Sequence, residues 1–416
     1  MLSLLSKTVT ITSSYTGADV NNYSVTNQSS TTADISTKAL TATVSASNKT
    51  YDGGTTATTT LTFTGLIGSE TLGQSVASTF DNKNVGTAKT VTVNSITLSD
   101  GTNGGLAANY SISAGQTTTA NITTKSLTVS GVTASNKTYD GGTNASMDGT
   151  SAVYSGLVSG DTFNGTYTGA FSDKNVGTGK TVTITSSYSG ADVSNYSVTD
   201  QSSTTANITA KSLTVLGITA SNKTYDGSSA ATTTLSLSGF IGSETVTSTN
   251  SSTFNNKNVG TGKTVTVNSI TLADGTNGGL ASNYSISTGQ TTAADISAKS
   301  LTVSGITASN KTYDSTTSAT LGTGSVSYGG LVSGDDFTGS YSGVFADANV
   351  GSGKTVNITS SYSGADINNY SVTDQSTTTA NITAKALTAT ASASNKVYDS
   401  SSAATVTLSL SLIKIM

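Results

Sequence analysis

The residues of this sequence best suited to chemistry are aspartates in glycine-rich turns. The candidates are Asp100 in SDGTNGG, Asp274 in ADGTNGG, and Asp335 and Asp336 in SGDDF. Their carboxylates could ligate Ca²⁺, which prefers oxygen ligands. The spacing of an EF-hand is absent, however, and aspartate is common in turns without any metal. We therefore expect no metal and no other cofactor, with calcium at these four aspartates as the alternative.

A second chemical motif is NVGTGKTV, residues 175–182, which resembles a phosphate-binding loop. The pattern G-x-x-x-x-G-K-T requires glycine at position 174, where the chain has Lys174. The alternating Val and Thr residues that follow favour a turn leading into a strand. We therefore expect no nucleotide site.

Catalysis is poorly supported by the residue types present. The chain has no His and no Cys, so neither a Ser–His nor a Cys–His nucleophile system can form. A carboxylate pair would have to be built from turn aspartates, and no copy of these turns is distinguished from the others. We expect a protein that is not an enzyme. Lys–Asn cross-links and glycosylation at N-x-S/T sequons remain open.

Composition and pattern indicate what positions these residues. Only 10% of the residues are charged and 34% are hydrophobic, with a net charge of −4. Apolar residues fall at every second position, as in Val91 and Val93, which is the pattern of half-buried strands with Thr outward. The mild acidity argues against nucleic acid. No apolar run is long enough for a transmembrane helix, and the N-terminus does not resemble a signal peptide.

The strongest signal is internal repetition. Three aromatic landmarks recur: the Tyr of T-Y-D, the Phe of F-x-x-K-N-V-G and the Tyr of N-Y-S. The first set is Tyr51, Tyr139, Tyr225, Tyr313 and Tyr398; the second is Phe80, Phe171, Phe254 and Phe345; the third is Tyr110, Tyr196, Tyr284 and Tyr370. The first landmarks are 88, 86, 88 and 85 residues apart, and internal spacings alternate between two repeat types.

A period of this length predicts a string of β modules rather than a solenoid, because about 87 residues suffice for a small independent core. We predict an all-β tandem array of β-sandwich, immunoglobulin-like modules, with β-grasp-like modules as the alternative. Asp192 lies four residues before Tyr196, which resembles a tyrosine corner and favours the sandwich.

The landmarks also predict the division of the chain. The predicted segments are 1–38 (C-terminal part of a second-type repeat), 39–125 (first type), 126–211 (second type), 212–299 (first type), 300–385 (second type) and 386–416 (a truncated repeat start). Only a Lys and one or two small residues separate one repeat from the next, so these short junctions should restrict bending.

The motifs K-x-Y-D-G, F-x-[DN]-K-N-V-G-x-x-K-T-V and G-A-D-x-x-N-Y-S-V together resemble the YDG repeat of large bacterial surface proteins, including filamentous-haemagglutinin-like adhesins. The departures are Ala348 for Lys, and Ser315 and Ser400 for Gly. The resemblance implies an extracellular or cell-surface, all-β array, and it supplies no binding residues.

These observations favour a non-catalytic stalk that holds a distal adhesive domain away from the cell. The chain would then be an extended monomer that meets host glycan or protein only through its parent adhesin. One alternative is a multivalent adhesin whose modules bind glycan or protein directly. Another is an ice-binding surface of exposed Thr residues such as Thr60, Thr62 and Thr64.

Overall fold

The structure, a computed structural model, describes residues 5–412. Within this span the secondary structure is β-strand with single 3₁₀ turns and no α-helix. The 3₁₀ turns are Val20–Asn22, Ala107–Asn109, Val193–Asn195, Ala281–Asn283 and Ile367–Asn369. None of these described helices has the length or apolar character needed to cross a membrane. The chain divides into two compact units between Thr209 and Ala210.

Alternating apolar and β-branched residues form the strands of the first unit. They are β1 (Leu5–Thr10), β2 (Ser30–Ile35), β3 (Lys38–Ala39), β4 (Thr41–Ala46), β5 (Lys49–Thr50), β6 (Thr56–Ala57), β7 (Thr59–Thr64), β8 (Leu72–Phe80), β9 (Gly86–Asp100), β10 (Tyr110–Ser111), β11 (Thr117–Thr123), β12 (Lys125–Ser130), β13 (Thr133–Ala134), β14 (Lys137–Thr138), β15 (Asn144–Ala145), β16 (Met147–Asp148), β17 (Val153–Ser155), β18 (Asn164–Phe171), β19 (Gly177–Ser189), β20 (Tyr196–Thr199) and β21 (Ser203–Thr209).

The second unit repeats this series of strands. They are β22 (Lys211–Ser212), β23 (Thr214–Ala220), β24 (Lys223–Thr224), β25 (Ala230–Ala231), β26 (Thr233–Ser238), β27 (Val246–Phe254), β28 (Gly260–Asp274), β29 (Tyr284–Ser285), β30 (Thr291–Ser297), β31 (Lys299–Ser304), β32 (Thr307–Ala308), β33 (Lys311–Thr312), β34 (Ser318–Ala319), β35 (Leu321–Gly322), β36 (Ser327–Gly329), β37 (Thr338–Phe345), β38 (Gly351–Ser363), β39 (Tyr370–Thr373), β40 (Thr377–Thr383), β41 (Leu387–Ala393) and β42 (Val406–Leu412).

Each complete repeat builds one five-stranded sheet. The four sheets have the orders β5-β11-β9-β8-β6, β14-β21-β19-β18-β15, β24-β30-β28-β27-β25 and β33-β40-β38-β37-β34. The long hairpin at the centre, for example β8–β9, is antiparallel. The short strand that precedes the Y-D-G turn is parallel to the last strand of its own repeat, as β5 is to β11.

A smaller set of strands forms the second layer of each repeat. In the first repeat, β4 pairs antiparallel with β7, and β3 pairs parallel with β10. In the second repeat, β12 lies between antiparallel β17 and parallel β20. The predicted all-β tandem array is confirmed.

The buried residues are those that the alternating pattern predicts. Val91 and Val93 of β9 are fully buried, and the Phe landmarks are buried at the end of the strand before each K-N-V-G turn, or A-N-V-G in the fourth repeat. The core does not stop at the repeat boundary, however. In the first unit, Tyr51 and Ile122 of one repeat belong to the same buried cluster as Leu127 and Phe163 of the next. The expectation of a separate core for each repeat is therefore wrong for this pair, because the Y-D-G tyrosine packs into its neighbour.

Candidate functional site at the contact between repeats

Hydrogen bonds and an ion pair within its own repeat hold the Y-D-G turn in place. The ammonium of Lys49 lies 2.7 Å from Oδ1 of Asp52 and donates to the carbonyl of Gly54 at 2.8 Å. Oδ1 of Asp52 also accepts from the backbone N–H of Gly54 at 2.9 Å. Asn48 accepts a bond at 2.7 Å from the N–H of Asn121, which fixes the preceding residues against β11. The motif N-K-x-Y-D-G therefore encodes a preformed turn.

Tyr51 projects from this turn into the following repeat. Its hydroxyl donates to Oδ2 of Asp161 at 2.8 Å. The hydroxyl of Tyr196 donates to the same oxygen at 2.6 Å and accepts from the N–H of Val158 at 2.9 Å. The two rings meet edge to face, with centroids 5.6 Å apart and an interplanar angle of 77°, a favoured aromatic geometry. Two tyrosines from successive repeats thus share one carboxylate.

Lys83 supplies the positive charge of this contact. Its ammonium lies 2.8 Å from Oδ1 of Asp161 and 2.7 Å from Oδ1 of Asp192, two carboxylates of the next repeat. It also lies 5.8 Å from the centroid of the Tyr51 ring, within range of a cation–π interaction. We call Tyr51, Lys83, Asp161, Asp192 and Tyr196 the junction cluster of the first unit.

Backbone contacts extend the junction cluster. The N–H of Val85 donates to Oδ1 of Asn195 at 2.9 Å, and the amide of Asn195 donates to Oδ1 of Asn84 at 3.2 Å. Asn195 is completely buried, so this amide is satisfied through the contact. The K-N-V-G turn of the first repeat, residues 83–86, therefore docks on a side-chain amide of the next repeat.

Hydrogen bonds and opposite charges within the junction cluster stabilise the ionised forms of its two aspartates and of Lys83. Burial alone would raise the pKa of Asp161, but hydrogen bonds from Lys83 and the two tyrosines outweigh it and hold that pKa below its ordinary value. The hydrogen bond from Lys83 is the main cause that lowers the pKa of Asp192. Burial, then the bond to Asp161, raises the pKa of Tyr196 to about 12. The bonds to Asp161 and Asp192 raise the pKa of Lys83.

The second unit contains the same arrangement, with Tyr225, Lys257, Asp335, Asp366 and Tyr370 as its junction cluster. Tyr225 donates to Oδ2 of Asp335 at 2.8 Å, and Tyr370 donates to that oxygen at 2.5 Å. Lys257 lies 3.0 Å from Oδ1 of Asp335 and 2.9 Å from Oδ1 of Asp366. Two independent copies of one geometry show that the repeat encodes it.

Glycine in the turn has a specific role at these contacts. Gly53 has φ +80°, and a Cβ there would lie 2.7 Å from Cγ1 of Val158 in the next repeat. Gly227 has φ +81° and the same 2.7 Å approach to Val332. Ser315 occupies the matching position in the fourth repeat with φ 70°. The turn therefore tolerates Ser, whereas close approach of the neighbouring repeat requires Gly.

The structure places the calcium candidates in two different settings. Asp100 and Asp274 each accept a backbone N–H at 2.7 Å, from Ala107 and Ala281. Asp335 belongs to the junction cluster, and Asp336 accepts the N–H of Ala365 at 3.0 Å. Across residues 5–412, no group of three or more His, Cys, Asp or Glu side chains could hold a metal ion.

The landmark residues fall into buried and exposed sets. The landmark tyrosines and phenylalanines that the structure buries are Tyr51, Tyr139, Tyr225, Phe80, Phe171, Phe254, Phe345, Tyr110, Tyr196, Tyr284 and Tyr370. Tyr313 and Tyr398 are exposed. In a tyrosine corner the tyrosine hydroxyl bonds to the backbone a few residues before it. The hydroxyl of Tyr196 bonds instead to Asp161 and to the N–H of Val158, so the tyrosine-corner interpretation is wrong.

Sequence reasoning missed the acidic partner of the N-Y-S tyrosine in each complete repeat, and it named Asp335, the partner of Tyr370, only as a calcium candidate. Glu70 accepts from Tyr110 and Glu244 accepts from Tyr284, as Asp161 does from Tyr196. The signal was present as G-[LF]-[IV]-x-x-[DE], which ends at residues 70, 161, 244 and 335. It was hidden because Glu stands in one repeat type and Asp in the other. Lys83 and Lys257 were missed because even their nearer partners in sequence, Asp161 and Asp335, are 78 residues away.

Comparison with protein-family models matches the YDG domain four times in tandem, at residues 36–120, 123–206, 209–293 and 297–380. These matches span most of the described chain and contain both junction clusters. No curated protein matches the chain.

Proposed function

This chain belongs to the YDG domain family, and from that premise we propose that it is a non-catalytic spacer in a secreted or surface-attached bacterial adhesin. In this role it holds a distal binding domain away from the cell. The resemblance to filamentous-haemagglutinin-like proteins supplies the adhesin context and the extracellular location.

The observation that carries the proposal is the junction cluster. A spacer must resist bending where one module meets the next, and flexible linkers do not do so. Here the junction is only a few residues long, and Tyr51, Lys83 and the Val85 N–H all bond to the next repeat. The bonds from Tyr51 and Lys83 go to a charged carboxylate, and hydrogen bonds to charged groups are stronger than those between neutral groups.

The repetition itself also supports a spacer. The same cluster occurs twice with the same partners, and its carboxylate oxygens accept bonds from protein donors. An array that repeats one contact gains length with each copy. A binding site would be expected to present unsatisfied polar groups in a concave pocket.

Surface display tests the proposal. The chain is placed between a bacterial membrane anchor and a short epitope tag, and binding of antibody-coated beads to the tag is measured. The spacer function predicts more bead binding than with a Gly/Ser linker of equal length, and a decrease toward that linker when both Asp161 and Asp335 are changed to Asn. Bead binding equal to the flexible linker would contradict it.

A glycan array and host-cell binding assay with the purified chain separate the spacer from the adhesive alternative. The spacer function predicts no binding by the chain itself. Saturable binding that survives Asp161→Asn would instead favour modules that adhere directly.

A further inference from the structure

In each complete repeat the first and last parts of the chain lie side by side and run in the same direction. In the second repeat they are residues 125–139, the leading segment, and residues 196–209, the trailing segment. Lys125 at the start of the leading segment pairs with Tyr196 at the start of the trailing segment. Near their ends, β14 pairs with β21 in the same parallel sense. The chain therefore enters the repeat at one end of this pair of segments and leaves it at the other.

Side chains join the two segments where the backbone ladder between them is interrupted. Gln201 accepts from the N–H of Val132 at 2.9 Å and donates to the carbonyl of Val132 at 2.8 Å. Val132 is buried, so water does not replace these two bonds. Asn136 accepts from the N–H of Asn207 at 2.7 Å. The leading and trailing segments are thus bonded to each other along most of their length.

This geometry determines how the repeat responds to tension. A force that pulls the two ends of the repeat apart slides the trailing segment past the leading segment, so the hydrogen bonds between them bear the load together. A hairpin that is pulled at its open end loses its bonds one pair at a time instead. The β18–β19 hairpin of the same repeat, with its open end at Asn164 and Ser189, offers this second geometry for comparison.

The two repeat types differ in the extent of this contact. The β12–β20 register of the second repeat contains four residue pairs, whereas the β22–β29 register of the third repeat contains two. In the fourth repeat, Gln375 makes the same two bonds to Ile306 that Gln201 makes in the second. In the third repeat, the hydroxyl of Thr292 donates to the carbonyl of Ile218 at 3.3 Å. The second-type repeat therefore has the more extensive contact.

We propose that each repeat bears load along the chain, with its leading and trailing segments as a clamp against tension, and that second-type repeats resist higher forces than first-type repeats. The inference goes beyond the spacer function, which concerns bending between repeats. A spacer that is stiff at its junctions could still have repeats that unfold easily under tension. The two proposals therefore fail in different experiments.

Optical tweezers applied to the full chain test the clamp. The chain has no Cys, so handles can be attached at introduced pairs of exposed cysteines. Ser126→Cys with Thr209→Cys pulls the two segments past each other, and Asn164→Cys with Ser189→Cys pulls the hairpin at its open end. Forced unfolding is governed by the unfolding rate. At the same constant force this rate should be at least about tenfold lower for the first pair, because several hydrogen bonds must break together. Equal rates for the two pairs would overturn the proposal.

Gln201→Leu separates the clamp from a general loss of stability. It removes two hydrogen bonds between the segments, so the unfolding rate should rise about tenfold when the segments are pulled. The rate should stay unchanged when the hairpin is pulled, whereas a merely structural role of Gln201 would raise both rates. The matched control is Asp148→Ala, which removes two bonds to Thr150 within one turn and should change neither rate. Far-UV circular dichroism verifies that each variant is folded.

The difference between the repeat types is measured with handles at the corresponding positions of the third repeat, Ser212→Cys and Ser297→Cys. The third repeat should unfold faster than the second at the same force, because fewer bonds join its leading and trailing segments. A third repeat that unfolds as slowly as the second would contradict the assignment of the stronger clamp to the second type.

Discussion

The hydroxyl of Tyr51 lies 2.8 Å from Oδ2 of Asp161, although 110 residues separate them in the chain. Tyr225 and Asp335 have the same separation and the same distance. The Y-D-G turn is therefore formed by one repeat and used by the next. This relationship makes the contact between repeats, rather than any single repeat, the informative part of the molecule.

Tyr51→Phe should lower the free energy of unfolding of the first unit. It removes one hydrogen bond to a buried carboxylate, and such bonds contribute about 1.5–3 kcal/mol. Asp161 keeps its bonds to Lys83 and Tyr196, so we expect the low end, about 1.5 kcal/mol. Urea denaturation followed by circular dichroism measures the change.

Tyr313→Phe is the matched control for that prediction. Tyr313 stands in the same motif, but it is exposed and lies in a repeat where Ala348 replaces the junction lysine. Its loss should change stability by less than about 0.5 kcal/mol. Equal effects of the two substitutions would contradict the role assigned to Tyr51.

Gly53→Ala should destabilise the contact with the second repeat. The positive φ costs about 1 kcal/mol for alanine, and the new Cβ would lie 2.7 Å from Val158. Overpacking adds about 1–3 kcal/mol. Ser315→Gly, the reverse change in the fourth repeat, should alter stability by less than about 1 kcal/mol, because relief at φ 70° is offset by greater freedom of the unfolded chain. Thermal unfolding of both variants tests this asymmetry.

The stability of the first unit should depend on pH at both extremes. The folded pKa of Asp161 lies below its ordinary value, so its stabilisation is complete above about pH 4 and is lost as the pH falls through the folded pKa. The pKa of Tyr196 is raised to about 12. The stabilisation by Tyr196 is therefore complete below about pH 10, the ordinary pKa of tyrosine, and is lost as the pH rises through the folded pKa of about 12.

Asp161→Asn separates this effect from general acid denaturation. The variant should be less stable at pH 7, and its stability should fall less steeply than that of the parent chain between about pH 4 and pH 2. Asp19→Asn, an exposed aspartate outside the junction cluster, should leave the acid limb unchanged. If the stability of Asp161→Asn falls with pH as steeply as that of the parent chain, groups other than Asp161 cause the acid sensitivity.

Calcium should have no effect on thermal stability. Both oxygens of Asp335 accept bonds from side chains of the second junction cluster, and Asp100 accepts the N–H of Ala107. Differential scanning calorimetry with millimolar CaCl₂ and with a chelator should give the same unfolding temperature. A higher unfolding temperature in the presence of calcium would instead support calcium binding by these aspartates, the alternative stated from the sequence.

Much of the fold follows from local pattern. Alternation in residues such as Val91 and Val93 predicts strands, and the recurrence of N-K-x-Y-D-G predicts a repeated turn. Both features depend on residues close together in sequence, so the strands and the turns can be predicted without knowing which repeats are in contact.

The junction cluster could not be predicted in the same way. Asp161 reads as an ordinary turn aspartate until Tyr51 and Lys83 of the preceding repeat are placed beside it. Position within a repeat indicates which residues are turns, but it does not indicate that a turn docks on the next repeat. The substitutions at Ser315 and Ala348 both occur in one repeat, at the positions of the turn glycine and of the junction lysine, and they were the sequence's one hint that these two positions are related.

The central claim is that the junction cluster fixes the second repeat of the first unit relative to the first. Because the chain has no Cys, spin labels can be placed at Thr62→Cys and Ser151→Cys, one exposed site in each repeat. Pulsed electron double resonance of the full chain should give one narrow distance distribution, which broadens when Lys83→Ala and Asp161→Asn are added. A distribution that is equally broad with and without these substitutions would contradict the account.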